Sequence, residues 1–148
     1  MNHPILRFVL CAILSLSCAA SWAEQSSSFG DYTVHYSAFT TDILTPEVAK
    51  AYGIQRSKSR ALLNVSVLKK VMGTTGQPVR AKLEATATNL SAQLRQLSVR
   101  ELNDSGAIYY IAETAVADSE TLKFSITVTP ADSAASTTVT FDQQFFTN

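Results

Sequence analysis

The stretch SRALLNVSVLKKVM, Ser59 to Met72, alternates with a period of two: Leu63, Val65 and Val67 point one way, Asn64, Ser66 and Lys70 mostly the other. No glycine or proline interrupts it before Gly73. That spacing predicts a strand with one face against a core. The same signature recurs on either side. Upstream, Phe29 to Phe39 sets Tyr32, Val34, Tyr36 and Ala38 against Thr33, His35, Ser37 and Phe39. Downstream, Val79 to Thr88 alternates, and Leu122, Phe124, Ile126 and Val128 alternate with Lys123, Ser125 and Thr127. Thr137 to Phe146 places Val139, Phe141 and Phe145 on a shared face. A strand from about Arg95 and another over Ala107 to Val116 flank the polar turn Asn103-Asp104-Ser105-Gly106, which reads as a hairpin. Residues 89–95 fit either a helical or an extended reading, because Leu90, Leu94 and Leu97 also have helical spacing.

One segment departs from this pattern. Thr45-Pro46-Glu47 has a capping threonine, a proline suited to the first helical position and a carboxylate that complements the helix dipole. Gly53 supplies the stop. A helix this short needs tertiary packing, expected through Val48, Tyr52 or both. Seven strands without long helical crossovers exclude a parallel sheet. The expected fold is therefore a seven-stranded antiparallel, immunoglobulin-like β-sandwich with one short helix after the first strand.

The amino terminus carries a positive charge at Arg7, an apolar run from Phe8 to Leu16 and small residues at Ser21 and Ala23. These are the parts of a cleaved signal peptide over residues 1–23, with the cut expected between Ala23 and Glu24 and a periplasmic destination. The apolar run is shorter than the ~20 residues a membrane helix needs, and no second run follows, so no transmembrane span is expected after cleavage. Glu24 to Ser28 reads as a flexible lead-in, and residues 29–148 as a single domain. Cleavage removes both cysteines, Cys11 and Cys18, so no disulfide is available. It also removes one cation, Arg7, leaving eleven Lys and Arg against twelve Asp and Glu. That balance argues against a nucleic-acid partner.

The catalytic inventory is thin. Past residue 23 there is one histidine, His35, and no thiol, and no Gly-x-Ser-x-Gly elbow, phosphate loop or dinucleotide fingerprint occurs. No cofactor or metal is expected. The carboxylates Asp118, Glu120, Asp132 and Asp142 are scattered, where acid–base work needs two groups brought together with different pKa values. His35 reads first as a surface or packing residue of its strand. The one concentrated charge pattern is Arg56-Ser57-Lys58-Ser59-Arg60. In an extended chain its three cations project from one face about 7 Å apart. They follow Tyr52 on an excursion from the sandwich, and tyrosine with arginine is a mix enriched at contact hot spots. Tyr52, Arg56, Lys58 and Arg60, with His35 or Tyr36 beside them, are thus the candidate surface for a protein or anionic partner. A solvated edge that blocks sheet-to-sheet aggregation is the plainer reading.

Several segments, in this order, resemble a family of short exported proteins of Gram-negative bacteria known only as a domain of unknown function. They are Phe29-Gly30-Asp31-Tyr32, Val34-His35-Tyr36, Leu44 to Ala49, Tyr52-Gly53-Ile54, Arg56-Ser57, Asn64 to Val67, Ala107 to Ala112 and the phenylalanine-rich end. The resemblance implies a periplasmic setting and supplies no activity or site residues. The function expected is a non-enzymatic binding or interaction module. The alternatives are a sandwich holding a small apolar ligand between its sheets and a carboxylate-based enzyme.

Overall fold

The computed structural model describes residues 24–148; the expected signal peptide, residues 1–23, lies outside the described residues. Ten strands, all paired antiparallel, form two sheets. The strands are β1 (Gln25–Phe29), β2 (Tyr32–Thr40), β3 (Arg60–Lys69), β4 (Gln77–Pro78), β5 (Ala81–Asn89), β6 (Leu94–Leu97), β7 (Arg100–Asp104), β8 (Ala107–Ala115), β9 (Thr121–Pro130) and β10 (Thr137–Gln144). Sheet A has the order β1-β2-β3-β8-β7, with the two-residue β4 on β3, and sheet B the order β10-β9-β5-β6. The stretch 59–72 becomes β3, the central strand of sheet A, paired on one side with β2 and on the other with β8.

The sandwich and its short helix are as expected, but the strand count is ten rather than seven. Three differences account for it. The expected first strand is a hairpin, in which Phe29 pairs with Tyr32 across Gly30-Asp31. Its first arm, β1, includes Ser26 to Ser28, so the expected lead-in is an edge strand held by backbone bonds to β2. Residues 94–104 divide into β6 and β7, which belong to opposite sheets, so the chain crosses the sandwich at Ser98-Val99. Finally, β4 is a minimal strand inside the expected 73–78 turn.

The inner faces follow the alternation. Val34, Val65 and Val67 from sheet A meet Leu122, Phe124, Ile126 and Val128 from sheet B, all at or near zero exposure. Phe124 stacks on Phe141, with ring centroids 5.1 Å apart, and meets Phe145 edge-on at 6.3 Å. Polar clips close the ends of the sandwich. Tyr32 and Lys69 of sheet A donate to the two oxygens of Asp132, in the β9–β10 loop, at 2.6 and 2.9 Å. Both bonds favour the ionised carboxylate, which holds Asp132 below the usual range. Arg95 donates to the Ala115 carbonyl at 2.6 Å and pairs with Glu120 at 3.3 Å. The β7–β8 turn, Ser105-Gly106, has φ of +50° and +89°, matching the twist of a two-residue hairpin.

Between β2 and β3 the chain leaves sheet A, runs through a 3₁₀ turn (Thr41–Ile43) and forms α1 (Pro46–Ala51). The Thr45 hydroxyl caps α1 by accepting from the Val48 amide at 3.3 Å, and Gly53 takes φ +64° just beyond it. The helix packs on the outer face of sheet A through Ala49, with Ile54, Leu62 and Ile111 buried beside it and Phe39, Leu44, Tyr52 and Leu102 around them. Val48, an expected anchor, is 39% exposed. This second, smaller core makes one half of that outer face apolar, and the α1 excursion does not cover the other half.

Candidate functional site

The half that α1 leaves uncovered is the candidate site. Its floor is built by register. His35 pairs with Ser66, and Ser37 pairs with Asn64, across β2 and β3. Because paired residues share a face, these four side chains form two adjacent rows pointing away from the core. Tyr109 adjoins them from β8. Its neighbour Tyr110 pairs with Val65 and is buried, so Tyr109 faces outward. The floor belongs to a groove of about 960 Å³, which continues over the sheet edge to Ile43 and the exposed Phe146. At its near end Glu24 Oε1 lies 3.3 Å from His35 Nδ1.

The groove lining is mixed, with Ser37, Asn64, Ser66 and His35 set among apolar side chains such as Leu68, Ile108, Phe141 and Phe146. Glu24 is the one carboxylate in its lining, and neither lysine nor arginine contributes. The outer face of sheet B is different. It carries Lys82, Glu84, Lys123 and Asp142 on its strands, with Lys82 and Glu84 paired at 3.4 Å, as a solvated face ordinarily does. Among the described residues, no hydrogen bond is made by the side chains of Ser37, Asn64, Ser66 or Tyr109. Their donors and acceptors are left for solvent or a ligand.

The expected surface residues do not come together as one patch. Tyr36 alternates with His35 and points inward, 8% exposed, against the Phe141 ring at 4.9 Å. It is a core residue and cannot present a contact. Tyr52 is half-buried over sheet A, donates to Asp104 at 2.6 Å and has its own carbonyl bonded by Arg100. The bond to Asp104 pushes the Tyr52 phenol up and draws the carboxylate down. The cations are not an extended ladder, because residues 57–60 turn, with the Arg60 amide donating to the Ser57 carbonyl at 3.4 Å. Arg56 reaches back to the Asp42 carbonyl at 2.9 Å, Arg60 pairs with Glu113 at 3.4 Å, and Lys58 projects into solvent. Of the six expected residues, only His35 lies in the groove.

The residues the sequence reading missed are Ser37, Asn64, Ser66 and Tyr109. A signal for them existed: the outward side of the central strand is Asn and Ser where charged residues are usual.

Three of the four candidate carboxylates serve local structure, and Asp142 is exposed on β10. Asp132 is held by Tyr32 and Lys69, Asp118 accepts from the Thr147 amide and Asn148, and Glu120 is paired with Arg95. No group of three or more His, Cys, Asp or Glu among the described residues could hold a metal ion. Between the sheets, the gap lined by Leu63, Val65, Leu83 and Tyr110 has no room for a water molecule. No helix among the described residues is long and apolar enough to cross a membrane.

Residues 26–148 match the family model described as a domain of unknown function, DUF4426. This chain belongs to the DUF4426 family. A crystal structure of a DUF4426 protein from Pseudomonas aeruginosa PAO1 is similar at 34% identity and a TM-score of 0.73, over 84% of this chain and 96% of that one. FetP of a uropathogenic Escherichia coli strain, expressed in the periplasm, shares the fold at 10% identity and a TM-score of 0.59, over 84% and 94% of the two chains. A copper-bound glutamate-to-glutamine variant of FetP gives 0.57 at the same identity, over 83% and 95%. No curated protein matches the chain. At 10% identity the FetP likeness concerns the fold alone, and DUF4426 carries no assigned activity.

Proposed function

We propose that this DUF4426 protein is a non-enzymatic binding module of the periplasm, and that it binds through the open outer face of sheet A. One observation carries the reading. A row of uncharged polar side chains, with no hydrogen-bonding partners among the described residues, lines a groove large enough for a ligand. The outer face of sheet B also carries threonines and serines, but has Lys82, Glu84, Lys123 and Asp142 among them and no comparable groove among the described residues. Asp118, Glu120 and Asp132 are bound into local clips, and His35 has one ion-paired carboxylate among the described residues, Glu24. The periplasmic setting is supported by the signal-like leader.

An anionic partner at the cationic segment has less support. Arg60 is already paired and Arg56 is engaged with backbone, which leaves Lys58 as the freely presented charge.

Hydroxyl-radical footprinting tests the proposal without knowledge of the ligand. Tyr109 and His35 are oxidisable residues of the groove, and Met72, fully exposed, is an internal standard. In freshly released periplasmic contents, Tyr109 and His35 should oxidise more slowly relative to Met72 than in the purified protein. Equal ratios in the two samples would contradict a groove that is occupied in its own compartment.

A further inference from the structure

Resting on that reading of the groove, we infer that its occupant is an extended peptide segment of a partner protein, added as a strand to the edge of β2 between Ala38 and Thr40. β2 runs to Thr40, but β1 begins at Gln25, opposite Tyr36. Given the expected cut between Ala23 and Glu24, no residue of this chain continues β1 along the rest of that edge. The backbone groups left open follow from the alternation of bonds between antiparallel strands. The Lys70 amide donates to the Asp31 carbonyl, so odd-numbered residues of β2 bond toward β3 and even-numbered ones toward β1. Tyr32, Val34 and Tyr36 meet β1 in this way. Ala38 and Thr40 have the same orientation, yet they face no described strand and make no described backbone bond on that side. Both line the groove.

Donors and acceptors that repeat along a strand edge are matched by the backbone of another strand. The mixed lining suits the side chains of such a strand, which alternate between the two faces of sheet A. A residue level with Ala38 or Thr40 turns inward, toward Phe141, Gln143 and the exposed Phe146. One level with Phe39 turns outward, beside Ser37 on the polar floor. The segment that fits therefore alternates an apolar residue with a small polar one. The open edge is short, closed at one end by β1 and at the other by the 3₁₀ turn that begins at Thr41. Two copies of this chain cannot pair through it, because each would drive its β1 into the other's turn. A single extended segment meets neither obstacle.

The test is amide-resolved NMR on residues 24–148 with three capped peptides, each alternating threonine with valine, leucine or phenylalanine and ending in a lysine tail for solubility. In the free protein the Ala38 and Thr40 amides should exchange with solvent roughly tenfold or more faster than those of Val34 and Tyr36, which are bonded to β1. At least one peptide should shift Ala38 and Thr40 saturably at millimolar concentration and slow their exchange. Methylating that peptide at the alternate nitrogens that face β2 should weaken binding roughly tenfold, and Phe146→Ala roughly fivefold. Free-protein amides as protected as Tyr36, silence with all three peptides, or binding that either change leaves unaltered overturns the strand assignment. Shifts at these amides that grow with protein concentration alone also overturn it, because they mean a second copy. If the peptides are silent while the low-mass fraction of a periplasmic extract moves Ser37 and Asn64, the groove stays a binding surface and the strand is refuted. If both are silent, the groove reading falls as well.

Discussion

Phe124→Ala strikes the middle of the aromatic cluster in the sandwich core. Phe124 is fully buried, stacks on Phe141 of the neighbouring strand and meets Phe145 edge-on. Truncating a buried phenylalanine costs about 3–5 kcal/mol, through lost transfer energy and the cavity left behind. The two ring pairs, each worth about 0.5–1.5 kcal/mol beyond area, place the expected loss near the upper end, at about 4–5 kcal/mol. Domains of this kind have total stabilities of about 5–15 kcal/mol, so most of the reserve could vanish. With a urea dependence of about 2 kcal/mol per molar, the unfolding midpoint should fall by about 2 M. Phe146→Ala is the control, since that ring is 63% exposed and its loss should change stability by under about 0.5 kcal/mol. The assay is urea unfolding followed by circular dichroism. A Phe124→Ala midpoint within about 0.5 M of wild type would refute the packing described here. So would equal effects from the two substitutions.

Thr41 is fully buried, donates to the Gln55 carbonyl at 2.7 Å and accepts from the Ser57 amide at 2.9 Å. Thr41→Val should therefore cost about 1–3 kcal/mol in urea unfolding by stranding those groups. The Asp132 carboxyl is held below its unfolded value, so its clip contributes stability that is fully present above about pH 4 and is lost as pH falls through the lower folded value. The urea midpoints of wild type and Asp132→Asn should accordingly differ at neutral pH and converge in acid; a constant gap would contradict the clip. Lys58→Glu should leave stability within about 0.5 kcal/mol, whereas Arg60→Glu, placed against Glu113, should lower it measurably in the same assay.

The sequence made the long strands legible because their inner faces are apolar at every second residue, as in β3 and β9. It did not reveal β1, whose serines hide an edge strand held by backbone bonds that composition does not register. Nor did it reveal the break between β6 and β7. Both pieces have strand character, and only the packing of two sheets makes the chain cross at Ser98-Val99. Alternation already placed Tyr36 on the inward side, and the structure makes it a core residue. The cationic ladder assumed an extended backbone, and the turn at Lys58-Ser59 removed it. Asn64 and Ser66 were visible as outward residues. Their convergence with Ser37 and Tyr109 needs the β2–β3–β8 pairing, which joins residues far apart in the chain.

The central claim is that the open face of sheet A, and not the cationic segment or sheet B, is the binding surface. Adding the unfractionated low-mass portion of a periplasmic extract to the isotope-labelled protein, and mapping which amides move, tests it most directly. The account predicts shifts clustered at Ser37, Asn64, Ser66 and Tyr109, with Thr127 and Thr138 of sheet B unchanged. Shifts confined to Arg56 and Lys58, or to sheet B, with the groove silent, would contradict it.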